Sequence, residues 1–144
     1  MPFIVRWPGK VPAGTESDRV ITLADMFATS AGLLGVPMPE SAGGDSFDLS
    51  PVLLGKDVDD RADRTAILQT GHGLLAFRNG DWKLRFTERP EWSGETVTFQ
   101  DAPYELYNLE DDPYEQKDLA AAQPDRVNEM VVHLRGLIDK GRSK

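Results

Sequence analysis

The stretch Leu74–Phe86, LLAFRNGDWKLRF, decides the fold of this chain. Its central pair, Asn79-Gly80, stands between two runs of alternating polarity, which is a strong signal for a β-hairpin. A two-residue loop at this pair would place Phe77 opposite Trp82 and give the hairpin one apolar face and one mostly charged face. That pattern is typical of a sheet with one face on a core and the other in water. A three-residue loop with a bulge at the glycine would shift the pairing, and the sequence leaves both registers open.

Patterns on both sides of the hairpin predict the strands and the helix that pack with it. Apolar residues recur at helical spacing over Pro124–Lys140, with proline suited to the first helical position. The apolar stripe of that helix is expected to cover the dry face of the hairpin. Three further stretches are predicted as short strands: Thr65–Thr70 (TAILQT), Thr96–Phe99 and Tyr104–Leu109 (YELYNL).

The first third of the chain predicts a strand, a helix and a single helical turn. Pro2–Trp7 contains an unbroken apolar run, as in a strand covered on both faces. A helix is expected over Thr22–Leu34, with Thr22 as N-cap, Asp25 as its capping partner and a glycine as the stop. The stripe expected to form its core face consists of Leu23, Met26, Phe27, Ala31 and Leu34. The segment Ser50–Gly55 favours a one-turn helix that begins with a serine-proline pair.

Composition excludes several classes of protein. The 144 residues include 16 basic and 24 acidic side chains, which argues against binding to a nucleic-acid backbone or an anionic membrane. There is no cysteine, so thiolate zinc sites and cysteine nucleophiles are excluded. Met1–Trp7 lacks the features of a signal peptide, and the compartment stays open. The charged stretch Lys56–Arg64 is predicted as a solvated boundary rather than a calcium loop, dividing the chain into residues 1–60 and 61–144.

No catalytic or metal-binding constellation is found in the sequence. Serines occur without a nucleophile elbow, and no phosphate-binding glycine loop is present. Of the two histidines, His133 is expected to be a structural helix residue. His72 lies between two glycines at a strand-to-strand connection, where binding residues are often found, and an exposed loop residue is the alternative. It is the single candidate for a substrate cleft.

Five segments, in order, make the chain resemble the C-terminal part of a type I sulfatase, the arylsulfatase-like branch of the alkaline phosphatase superfamily. The matching segments are PFIVRWPGKVPAG, SDRVITLADMFATSAGLLGVPMP, FDLSPVLLG, LLAFRNGDWKL and YELYNLEDDPYEQKDLA. The resemblance implies an α+β fold: a small antiparallel sheet of about four strands packed by a C-terminal helix. The strand and helix that precede it would belong to the large α/β domain of a full-length sulfatase.

The resemblance also limits what this chain is expected to do. Such sulfatases hydrolyse sulfate esters with a formylglycine, made in a C/S-x-P-S-R motif that does not occur here, and with calcium. No catalytic or metal-binding residue of the family can be placed on this sequence, so the chain alone is expected to be inactive and to need no cofactor. The expected partner is the N-terminal catalytic part of a sulfatase, often an exported enzyme, whose sulfated substrate would bind only to that whole protein. The alternative is a stand-alone binding or assembly module that associates with a second copy of itself through the N-terminal strand.

Overall fold

The computed structural model of the chain describes residues 3–39, 41–56, 64–88, 91–93, 96–98 and 104–141. It divides into two compact units, Met1–Arg61 with Gly141–Lys144, and Ala62–Lys140. The first unit holds helices α1 (Asp25–Leu34) and α2 (Ser50–Leu53). The second holds six strands and a helix: β1 (Thr65–Gln69), β2 (Leu75–Asn79), β3 (Trp82–Phe86), β4 (Glu91–Ser93), β5 (Thr96–Thr98), β6 (Tyr104–Asn108) and α3 (Pro124–Lys140). None of the helices in these described ranges is long and apolar enough to cross a membrane.

The second unit is a four-stranded antiparallel sheet with one face covered by α3. The strand order is β1-β2-β3-β6, and β4 pairs separately with β5. Apolar side chains of the central strands pack against the helix stripe and form the core: Leu75, Phe77, Leu84, Phe86, Leu106, Val127, Met130, Leu134 and Leu137. The α+β fold and the covering of the hairpin by the last helix are therefore confirmed.

The register of the hairpin differs from the predicted one. Phe77 lies opposite Leu84, and Asn79 lies opposite Trp82, so the loop residues are Gly80 and its successor rather than Asn79-Gly80. Gly80 has a φ of +57°, and the aspartate that follows it has a negative φ, as in a type II′ turn with glycine first. The bulged alternative is also wrong. Since the pairing moves by two positions and side chains alternate with a period of two, every residue keeps its predicted face.

The outer edge of β6 is closed by the chain that follows it. The backbone N–H of Leu106 donates to the carboxylate of Asp118 at 3.0 Å, and the N–H of Leu119 donates to the carbonyl of Leu106 at 2.8 Å. An edge strand whose hydrogen-bonding groups are occupied in this way is a poor template for another strand.

In the first unit, α1 begins three residues later than predicted and buries the other face. The side chains of Asp25, Ala28 and Thr29 are buried, whereas Phe27 is 56% exposed and Leu34 is 77% exposed. The expectation that the apolar stripe forms the core face is therefore wrong for the residues described.

Polar contacts to the segment before α2 explain which face of α1 is buried. The carboxylate of Asp25 accepts the backbone N–H of Thr22 at 2.6 Å and that of Phe47 at 3.0 Å. The hydroxyl of Thr29 accepts the backbone N–H of Leu49 at 3.0 Å. Because buried donors must find acceptors, these bonds hold the polar side of the helix inward. Thr22 and Asp25 are hydrogen-bonded to each other as predicted, but the prediction that Thr22 is the N-cap is wrong. The N-cap of α1 is Ala24, and Asp25 is its first residue.

The predicted N-terminal strand is not formed. Residues 3–7 have no strand pairing, and Phe3, Ile4 and Trp7 are exposed. A strand needs a neighbour that accepts and donates its backbone hydrogen bonds, and none of the described residues supplies one here. The one-turn helix does form, but Ser50 is its first residue and not its cap, because the N-cap is Leu49. The helix ends before Gly55, whose φ is +76°.

Candidate functional site

The face of the sheet opposite α3 carries a shallow cavity of about 590 Å³. Most of its lining residues alternate with the core residues along their strands, because successive residues of a strand face opposite sides. Its walls combine apolar and charged groups from four strands and the loop after β6: Leu68, Gln69, Thr70, Leu74, Leu75, Ala76, Lys83, Arg85, Phe86, Thr87, Glu105 and Glu115.

The cations of the cavity are neutralised by carboxylates. The Nζ of Lys83 lies 2.6 Å from Oε1 of Glu115, and the guanidinium of Arg85 forms an ion pair with Glu105. The hydroxyl of Tyr107 donates to the second of these carboxylates at 2.9 Å, and the guanidinium of Arg85 lies 5.8 Å from the centre of the tyrosine ring. A paired cation offers little unbalanced positive charge, so this cavity is poorly suited to holding a sulfate or phosphate group by itself.

The phenol of Tyr107 is held in its neutral form. Burial of the side chain raises its pKa above the ordinary value of 10.0, and the hydrogen bond to the carboxylate of Glu105 and the negative charge there raise it further. Arg85 opposes this effect. The phenol therefore acts as a hydrogen-bond donor that orders the carboxylate, and it is unsuited to serve as a base.

His72 lies in the turn between β1 and β2. The turn is held by backbone hydrogen bonds from Gly73 to the carbonyl of Thr70 and from Thr70 to the carbonyl of Leu74, both 2.9 Å. Thr70 and Leu74 line the cavity, whereas the imidazole of His72 is exposed and has no hydrogen bond to another described residue. The predicted cleft residue therefore stands in a turn whose flanking residues line the cavity, and it does not line the cavity itself.

His133 lies on α3, outside the cavity. Its Nδ1 is 3.4 Å from Nδ2 of Asn79, and its ring meets Phe77 edge to face with the centroids 5.4 Å apart. These contacts hold the end of the hairpin against the helix.

No metal-binding group is found in the parts of the chain that the structure describes. Within them, no three His, Cys, Asp or Glu side chains are placed to hold an ion. The acidic stretch 57–63 lies outside the described residues. The described residues therefore do not offer the six to eight oxygen ligands that calcium requires.

Sequence reasoning missed the cluster of Arg85, Glu105 and Tyr107. The signal was present, because the charged face of the hairpin and the alternation in Tyr104–Leu109 place these side chains on one face. What the pattern could not supply was the order of the strands, which makes Arg85 and Glu105 direct neighbours.

The second unit is thus an antiparallel sheet packed by one helix, and comparison with known proteins defines the class of the chain. No protein-family model matches the chain. It is 35% identical over 133 residues to an N-acetylgalactosamine-6-O-sulfatase of Bacteroides thetaiotaomicron, covering 90% of this chain and 25% of that protein. It is 30% identical over 162 residues to human steryl-sulfatase, covering 97% of this chain and 27% of that protein.

Solved structures give the same relationship. A Bacteroides thetaiotaomicron structure from work on the metabolism of multiple glycosaminoglycans superposes with a TM-score of 0.74 at 31% identity, covering 96% of this chain and 29% of that one. The phosphonate monoester hydrolase of Agrobacterium radiobacter superposes with a TM-score of 0.52 at 21% identity, covering 88% of this chain and 26% of that one. The second match shows a shared fold alone.

The chain belongs to the sulfatase family, in which it corresponds to the C-terminal region. It spans about a quarter of the length of the relatives that match most of it.

Proposed function

We propose that this chain is the C-terminal region of an enzyme that hydrolyses sulfate esters. The observation that carries the proposal is the 35% identity over 133 residues to a sulfatase, together with the shared fold. The likeness to a phosphonate hydrolase concerns the fold alone, so it gives a phosphatase or phosphotransferase no comparable support.

The chemistry of the parent enzyme would reside in residues outside this chain. By resemblance, a formylglycine would supply the nucleophile and calcium would hold the sulfate. The paired cations of the cavity support this division, because Lys83 and Arg85 are already committed to carboxylates. The region would instead border the substrate cleft, with the exposed His72 as the residue that meets the organic part of the substrate.

The first test compares the purified 144-residue chain with the product of a reading frame that continues upstream of it. Turnover of an aryl sulfate with calcium is expected from the longer protein only. Robust calcium-dependent turnover by the 144-residue chain would overturn the proposal that the catalytic residues lie outside this chain. Failure of the longer protein to hydrolyse any of a panel of sulfate esters would overturn the proposed function.

The role of His72 is tested in the longer protein with His72→Ala and the matched control His133→Ala. A residue that contacts only the organic part of the substrate contributes equally to binding the ground state and the transition state. His72→Ala is therefore expected to raise KM and leave kcat unchanged, and the control is expected to change neither. Identical kinetics of the two variants would remove His72 from the cleft.

The alternative is a self-associating module that kept this region and lost the chemistry. Exposed Phe3, Trp7 and Leu34 favour it, because apolar surface of this kind often marks an interaction site. A monomer without dye-accessible apolar surface, measured by light scattering and dye fluorescence, would count against it.

A further inference from the structure

The two edges of the four-stranded sheet differ in how they are protected. The edge at β6 is closed by Asp118 and Leu119, as described above. The edge at β1 carries the sequence TAILQ, which has no charge, proline or glycine. Lysine, proline and bulges are the usual devices that prevent a strand edge from pairing with another chain, and β1 has none of them.

The outward half of β1 also presents the groups that strand pairing requires. Thr70 donates its backbone N–H to the carbonyl of Leu74, so even-numbered residues of this strand bond β2. The backbone groups of Ile67 and Gln69 consequently point away from the sheet. Among the described residues, none forms a hydrogen bond with these outward groups.

The side chains at this edge are apolar and accessible. Ile67 is 38% exposed and Leu68 is 46% exposed, and they lie on opposite faces of the sheet. Thr65 and Ala66, at the other end of the strand, are buried. The accessible part of the edge is therefore confined to residues 67–69.

We propose that this edge pairs with the same edge of a second copy of the chain, in antiparallel orientation, with Leu68 on the two-fold axis. Ile67 of each copy then faces Gln69 of the other in a hydrogen-bonded pair, and each such pair exchanges two backbone bonds. Leu68 meets Leu68 of the second copy across the axis. The paired strands contain no charge, so no like charges lie opposite one another, although each chain carries a net charge of −8. The two four-stranded sheets become one continuous sheet.

This inference is independent of the proposed enzymatic function, since it rests only on the second unit. It also differs from association through the N-terminal segment, because residues 3–7 form no strand.

Because the chain contains no cysteine, a single introduced cysteine can form a disulfide only with the same position of a second copy. In a non-hydrogen-bonded antiparallel pair the facing Cα atoms are about 4.5 Å apart, within the range that a disulfide can bridge. Leu68→Cys is therefore expected to form a disulfide-linked dimer under mild oxidation, at twice the 15.9 kDa of one chain. Val132→Cys, at an exposed apolar site on α3, is the matched control and is expected to cross-link at least about tenfold more slowly, because no pairing raises its local concentration. Phe3→Cys reports on the N-terminal segment.

A second measurement uses the chain without cysteine. The native chain is expected to show a concentration-dependent dimer by light scattering, and Leu68→Lys is expected to shift it to monomer, with the far-ultraviolet circular dichroism of the two unchanged. The proposal is overturned by equal cross-linking of Leu68→Cys and Val132→Cys, by faster cross-linking of Phe3→Cys, or by a native chain that is monomeric at every concentration.

Discussion

Replacing Phe77 tests whether the hairpin and the last helix share one core. The ring of Phe77 is fully buried, and it lies beside Leu84 in the core that the helix stripe completes. Truncation of a buried phenylalanine to alanine costs about 3–5 kcal/mol, because the lost transfer energy adds to the energy of the cavity left behind. With an m value of about 1.5 kcal/mol/M, a loss of about 4 kcal/mol lowers the urea midpoint by about 2.7 M.

The assay is urea unfolding followed by circular dichroism at 222 nm, to which the 17-residue helix α3 contributes strongly. Val132→Ala, on the exposed side of the same helix, is the control and is expected to change the midpoint by less than about 0.5 M. A cost below about 1 kcal/mol for Phe77→Ala would show that the hairpin face is not the core.

Trp82→Ala separates the observed register from the predicted one. The indole is only partly buried at the rim of the core, and the guanidinium of Arg126 lies 5.1 Å from the ring centroid. Its removal is expected to cost about 2 kcal/mol, less than Phe77, because less apolar surface is lost. A cost equal to or above that of Phe77→Ala would favour the register that places the two rings opposite each other.

Four further substitutions test other contacts. Asp25→Asn is expected to cost about 1–3 kcal/mol and to speed hydrogen exchange at the amide of Phe47, because a buried amide replaces a carboxylate that accepts several donors. Gly136→Ala is expected to stabilise α3 by about 0.5–1 kcal/mol, because a Cβ at this position meets open space. Gly32→Ala is expected to destabilise the fold, because its Cβ would lie 2.5 Å from a serine oxygen. The melting temperatures of the two variants measure both effects. Tyr107→Phe is expected to weaken the loss of stability at alkaline pH, measured by urea unfolding at rising pH. The pKa of Tyr107 in the folded chain lies above 10.0. The neutral phenol therefore contributes its full stabilisation below pH 10.0, and this contribution is lost as the pH rises through the folded pKa.

Each change has a control and a contrary outcome. Asp111→Asn replaces an exposed carboxylate, and a cost equal to that of Asp25→Asn would assign the effect to net charge. Equal responses of the two glycine positions would mean that the contact at Gly32 relaxes freely. Tyr114→Phe removes an exposed phenol and is the control. An alkaline profile of Tyr107→Phe identical to that of this control would contradict the raised pKa of Tyr107.

The second unit was largely predictable from local patterns. The helical period of α3 and the alternation in the hairpin depend only on which residues are apolar. A shift of the hairpin register by two positions leaves the face of every residue unchanged. The loop itself was not predictable, because the two candidate loops share Gly80 and differ only in which of its neighbours joins it.

The first unit was less predictable, because its contacts are between polar groups distant in sequence. Apolar periodicity favoured one face of α1, and the bonds from Asp25 and Thr29 to backbone donors about twenty residues away selected the other. The pairing of neighbouring strands that unites Arg85 with Glu105 is not encoded in any local pattern, and the role of His72 in a substrate cleft stays a prediction.

The parity of the hairpin has a consequence for how its turn can change length during evolution. Insertion or deletion of two residues beside Gly80 slides one arm past the other and leaves Phe77 and Leu84 directed at α3. Insertion or deletion of one residue would exchange the core-facing and solvent-facing side chains of an entire arm, unless a β-bulge accommodated the extra residue. Length variation at this turn among related chains should therefore come in steps of two, and odd steps should coincide with bulges.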